Sequence, residues 1–196
     1  MMIARFARLT LAILTALAAA LPACAQETAL DLDPAQTTVR FTLEATMHTV
    51  HGSFRMKNGA IRFNPASGAA SGAIVIDATS GETGNQKRDR NMHRDVLMSE
   101  RYPEITFTPT RIVGAVALRG ESSVQVEGVL RLLGNDHPIT LPVKVQMNGN
   151  ELHASATITI PYVAWGLKNP STFFLHVADK VELEIVAVGK LAAAER

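Results

Sequence analysis

From Thr38 onward the chain alternates: Val39, Phe41, Leu43 and Ala45 share one parity, and Arg40, Thr42 and Glu44 the other. Successive side chains of an extended backbone point to opposite faces, so a period of two predicts a strand with one apolar and one polar face. The pattern recurs at Phe54 and Met56, Ile61 and Phe63, Ile105 and Phe107, and through 124–132, 139–147, 152–160 and 181–187. Between these runs, Lys57-Asn58-Gly59, Asn64-Pro65-Ala66-Ser67-Gly68, Leu133-Gly134-Asn135-Asp136 and Met147-Asn148-Gly149-Asn150 read as turns. That chemistry predicts antiparallel hairpins in sequence order.

Many long strands with one apolar face must either pack as two sheets or curl until their edges meet, and closure removes the edges that invite aggregation. With eight strands the interior is just wide enough for side chains or one slender ligand. Residues Asn85 to Met98 break the alternation and contain good helix formers, after a lead-in, Ser80-Gly81-Glu82-Thr83-Gly84, that reads as flexible. The expectation is an all-β fold, a single eight-stranded antiparallel barrel with one short helix covering a mouth.

Composition adds an export reading. The 196 residues are 47% hydrophobic, enough for one substantial core. Residues 1–25 carry Arg5 and Arg8, an apolar run from Leu9 to Leu21, and the small-x-small exit Ala23-Cys24-Ala25. They read as a signal peptide cleaved before Gln26, with residues 27–190 as the binding domain and the periplasm as destination. Leu21-Pro22-Ala23-Cys24 also resembles a lipobox that would anchor the protein at Cys24, a pattern that Pro22 fits poorly. Cys24 is the single cysteine, so no intramolecular disulfide framework exists. Two of the 19 cationic side chains and none of the 18 acidic ones lie in 1–25, which leaves −1 on the rest. So weak a charge argues against nucleic acid as a partner.

The candidate chemistry sits between Arg88 and Phe107, in RDRNMHRDVLMSERYPEITF. Asp89 and His93 are four apart, so a helix would place them on one face within hydrogen-bond reach. No nucleophile elbow or phosphate loop accompanies them, and a salt-bridged, solvated surface of Arg88, Asp89, Arg90, Arg94 and Asp95 accounts for the cluster more simply. Met92 and Val96, also four apart, would then face the barrel. His48 and His51 are three apart, which on a strand sends them to opposite faces and flanks a break near Gly52. No metal or other cofactor is implied.

Arg88-Asp89, His93, Tyr102-Pro103 and Ile105-Thr106-Phe107 together resemble the motif of the YceI-like family. The resemblance extends to Val39-Arg40-Phe41, His48 through Phe54, Gly128 through Leu132, His137 through Leu141, and Trp165-Gly166-Leu167. The chain departs from the family pattern in the spacing around His93 and in carrying Pro161 where the late strand has an arginine. The resemblance implies a lipocalin-like barrel whose pore holds a polyisoprenoid or other amphiphilic lipid, without catalysis. The expected ligand-binding residues are Phe41, Phe54, Phe63, Met92, Val96, Phe107, Leu130 and Trp165. The alternatives are a ligand-free envelope stress or interaction protein and an enzyme acting on a bound amphiphile; a homodimer is compatible with each.

Overall fold

Closure of the wall follows from the two edges of a single antiparallel sheet. The computed structural model describes residues 27–46, 48–117 and 119–192, so the segment read as a signal peptide and Cys24 lie outside the described residues. The strands are β1 (Thr28–Leu32), β2 (Thr38–Glu44), β3 (Thr49–Phe63), β4 (Ala70–Glu82), β5 (Glu104–Val113), β6 (Gly120–Leu132), β7 (Asn135–Asn148), β8 (Glu151–Ile160) and β9 (Val181–Leu191). Neighbours run β3-β2-β9-β8-β7-β6-β5-β4, and β4 pairs back onto β3. β1 and β2 are both antiparallel to β3 and β9, with Thr28 opposite Phe63 and Val39 opposite Phe54. They share one position of the wall, which gives eight strand positions in a closed barrel.

The alternating runs are strands, but the strands exceed them. β4 contains Ala73-Ile74-Val75-Ile76, an uninterrupted apolar run that carries no period-two signal. β4 also continues through Glu82, so most of the expected flexible lead-in is strand. Lys57-Asn58-Gly59 is not a turn. It lies inside β3, which is paired on both edges and absorbs the local irregularity as a register shift between Met56 and Asn58. β3 also passes unbroken through Gly52, correcting the expected break. Gly52 stands opposite Phe41, and a Cβ there would lie 2.6 Å from the Glu82 carbonyl oxygen and closer still to the Phe41 ring. The glycine makes room for an aromatic ring inside the wall. The other expected turns form, and at β6–β7 the turn residues Leu133 and Gly134 both have positive φ, the conformation suited to a two-residue hairpin.

One seam is incomplete. β6 pairs with β7 from Gly120–Met147 to Leu132–Asn135, whereas β7 pairs with β8 only from Val143–Ala156 to Asn148–Glu151. Pro138 and Pro142 lie in the unpaired half, and neither has an N–H to donate to a ladder.

Two clusters of buried side chains lie toward opposite ends. Leu30, Leu32, Met56, Val124, Val145, Met147, Leu152 and Ala187 form one cluster near the turns 64–69 and 149–150. Leu97, Leu132, Ile160, Tyr162 and Leu167 form the other, beneath the connections 83–103 and 161–180.

Candidate ligand-binding cavity

The barrel holds a cavity of about 600 Å³ that residues of both clusters line. Its wall is the apolar row of each strand, with few polar atoms. Phe41, Phe54, Phe63 and Phe107 line it, as their parity predicts, and so does Leu130. Phe41 and Phe54 also pack on each other, with ring centroids 5.4 Å apart. The helix α1 (Gln86–Asn91) and the wider turn Met92–Val96 lie over one mouth and bring Met92 and Val96 to the cavity. Gly81 permits this approach, since a Cβ there would sit 2.6 Å from Phe54 Cε1 and 2.9 Å from Met92 Cε.

Local chemistry fixes the lid. Asn85 caps α1, its Oδ1 accepting from the amides of Lys87 and Arg88 at 3.1 Å each. The last turn then widens, with the Leu97 amide donating to the Met92 carbonyl at 2.8 Å, and Met98 takes a left-handed φ of 44° before the chain returns to β5. Tyr102-Pro103 precede that strand, as the restriction on a residue before proline predicts.

Arg88 and Asp89 do not form a solvated surface pair. Both are half-buried and grip Thr83 at the end of β4. Arg88 donates from Nε to Thr83 Oγ1 at 2.7 Å and from Nη2 to the Thr83 carbonyl at 2.9 Å. Asp89 Oδ1 accepts from the Thr83 amide at 2.9 Å and from its hydroxyl. His93 looks elsewhere: Nε2 lies 2.8 Å from the Gly81 carbonyl and Nδ1 3.0 Å from Ser99 Oγ. A carbonyl only accepts, so Nε2 is the donor. The expected Asp89–His93 pair is therefore not made, because each group is engaged by β4 or by the turn after the lid. Farther out, Arg94 and Asp95 form an exposed ion pair at 2.7 Å, and the guanidinium holds the Asp95 carboxyl below its ordinary range.

The rim is where the cavity becomes polar. Thr83, Asn85, Lys87, Arg88 and Asn91 line it from the lid, with His48 and Thr172 contributed by the 45–48 hairpin and the connection 161–180. His51, by contrast, has Nδ1 3.1 Å from Thr42 Oγ1. Sequence reasoning missed this rim, reading Arg88 as part of a solvated surface. Asn85, an asparagine opening a helical stretch, carried a capping signal that marks the lid's start. Deeper in the wall the buried Thr37 hydroxyl has no hydrogen-bond partner among the described residues.

The connection 161–180 is bound to the barrel through its backbone and held in shape by two of its own polar side chains. Thr46 N donates to His176 O and Ala178 N to Glu44 O, both at 2.9 Å. Asn169 Nδ2 donates to Asp179 Oδ1 at 2.7 Å, and the Tyr162 hydroxyl to the Ala178 carbonyl at 2.8 Å. Burial pushes the Tyr162 phenol up to about 12, with the Asp179 charge adding to it. Trp165, expected at the ligand, does not line the cavity. Its ring stacks on His137, with centroids 4.1 Å apart and planes within 7°. His137 is the rim residue of β7 on the edge left unpaired by Pro138 and Pro142, so the indole covers that edge.

Residues 30–188 match the YceI-like domain. No curated protein matches the chain. Among solved structures, Burkholderia cenocepacia BcnA is 23% identical, with 81% of this chain and 99% of that one covered and a TM-score of 0.66. A polyisoprenoid binding domain from Saccharophagus degradans, implicated in plant cell wall breakdown, is 18% identical, with coverages of 83% and 98% and a TM-score of 0.66. The Campylobacter jejuni YCEI protein is 22% identical, with coverages of 76% and 88% and a TM-score of 0.58. These structures share the fold, and with the domain match across most of its length, the chain belongs to the YceI-like family.

Proposed function

We propose that the protein is a periplasmic binding protein that holds a polyisoprenoid or similar long amphiphile in the barrel and does no chemistry on it. The observation that carries this reading is the shape and chemistry of the cavity: about 600 Å³, apolar along its length and polar at one rim. A flexible apolar chain with one polar end fits such a space, and a barrel filled by its own side chains would leave none. Affinity would come from removing ligand surface from water at about 25 cal/mol per Å², less the entropy of ordering the chain. The Saccharophagus degradans neighbour, described as a polyisoprenoid binding domain, supports this ligand class. Asp89 and His93, the pair on which an enzyme reading rested, are committed to holding the lid. The export reading rests on residues 1–25.

Native mass spectrometry of gently purified protein, followed by lipid extraction, tests the proposal: a co-purifying amphiphile supports it, and an empty cavity under all conditions overturns it. N-terminal sequencing of periplasmic protein should begin at Gln26; a lipidated Cys24 in the membrane fraction would replace the soluble carrier with an anchored one. The double variant Met92→Asp, Val96→Asp should release the lipid, while His93→Ala should leave it chemically unchanged. Conversion of the lipid by wild type that His93→Ala abolishes would establish an enzyme instead.

A further inference from the structure

The connection 161–180 ends in a feature that neither the cavity nor the fold uses. The Thr172 amide donates to the Leu175 carbonyl at 2.9 Å, which folds 172–175 into a tight turn with Phe173 and Phe174 at its tip. These rings are 92% and 86% exposed, far more than any other large apolar residue described, and they meet edge to face with centroids 4.9 Å apart. Two adjacent phenylalanines this exposed serve no packing purpose among the described residues. The turn is held in place, because the Val177 amide donates to Ser171 Oγ at 2.9 Å and the His176 carbonyl accepts from the Thr46 amide.

Position and charge say what covers the tip. Thr172 and Leu175, on either side of the two rings, line the cavity, so the tip stands at the mouth. The connections 85–103 and 161–180 at this end contain seven cationic residues, Lys87, Arg88, Arg90, Arg94, Arg101, Lys168 and Lys180, against four acidic ones, Asp89, Asp95, Glu100 and Asp179. At the other end, 64–69, 114–119 and 149–150 hold one charged residue, Arg119. Exposed aromatic side chains set among cations match the boundary of an anionic bilayer, where rings bury among acyl chains and ammonium or guanidinium groups meet headgroups.

We propose that the Phe173–Phe174 tip docks the open end of the barrel onto an anionic lipid bilayer, placing the cavity mouth against the membrane so that a lipid chain passes between them without crossing water. The passage of lipid rests on the cavity being an amphiphile site; the docking does not.

The test is co-flotation of full-length purified protein with phosphatidylcholine vesicles, with and without phosphatidylglycerol. Wild type should bind the anionic vesicles and bind neutral ones several-fold less, and the double variant Phe173→Ser, Phe174→Ser should lose roughly tenfold or more in affinity. Its melting temperature and its co-purified ligand, read by native mass spectrometry, should match wild type. Equal flotation of the double variant, or no flotation of wild type, would overturn the docking. A wild-type dimer that becomes monomeric in the variant would also overturn it, since the tip would then be covered by a second copy. Vesicle binding by a protein whose cavity is always empty would instead retain the docking and remove the carrier reading.

Discussion

At the end of the barrel bounded by the turns 64–69 and 149–150, Met56, Val145, Met147 and Leu152 belong to one buried apolar cluster. At the opposite end, two long connections are fastened by directed bonds: Arg88 and Asp89 to Thr83, His93 to Gly81, Thr46 to His176 and Ala178 to Glu44. Dense apolar packing is cooperative and opens only with the whole fold, whereas a lid held by a few hydrogen bonds opens for the cost of those bonds alone. The contrast separates stability from access. A buried apolar cluster supports one end so that the other can carry a polar rim, a lid and exposed aromatics.

Substitutions at the two ends should therefore differ in kind. Met147→Ala, at a residue 2% exposed in the closed end, should cost about 3 kcal/mol and lower the melting temperature by about 10 °C, measured by circular dichroism. Gly52→Ala, on the wall toward the open end, should cost about 2 kcal/mol because its methyl meets the Glu82 carbonyl and the Phe41 ring, and it should reduce retained ligand as the ring is displaced. An equal loss of ligand on Met147→Ala at temperatures where it is fully folded would erase the distinction between the ends.

Tyr162→Phe should cost about 1 kcal/mol near neutral pH through the lost bond to Ala178. It also has a pH signature. The folded phenol keeps its proton until about 12 while the unfolded one releases it near 10.0, so the folded state binds more protons in that window and wild-type stability falls as pH rises through it. By pH 12 the loss approaches about 2 kcal/mol, and the phenylalanine variant should lack that slope in chemical denaturation series. Smallest of all, Asp95→Asn should leave melting temperature and ligand retention unchanged, because the Arg94 pair is exposed on the outer face of the lid.

Much of this was legible in the chain. Alternation placed Phe41, Phe54, Phe63 and Phe107 on inward rows, and the break in alternation after Asn85 located the lid. β4 escaped because Ala73-Ile74-Val75-Ile76 has no period, and β1 because five residues hold too little pattern to register. The turn reading of Lys57-Asn58-Gly59 failed for a different reason: pairing of Asn58 and Gly59 with Val75 and Ile74 of β4 outweighed a local preference. Trp165 was misplaced because nothing in its own neighbours shows that it stacks on His137, a residue brought beside it by the return of the β8–β9 connection.

The sequence by itself determined what repeats along the chain: strand number to within one, the inward parity of the aromatic residues, and the place of the helical segment over the mouth. Those properties depend on neighbours two to four residues apart, which any stretch of the chain reports. The tertiary structure decided that Arg88 and Asp89 grip Thr83, that Gly52 yields its space to Phe41, that the interior stays open, and that Phe173 and Phe174 stand at the mouth. The grip on Thr83, the space left at Gly52, the open interior lined from end to end and the exposed tip each depend on which distant residues closure of the barrel sets side by side, and local patterns carry no record of that.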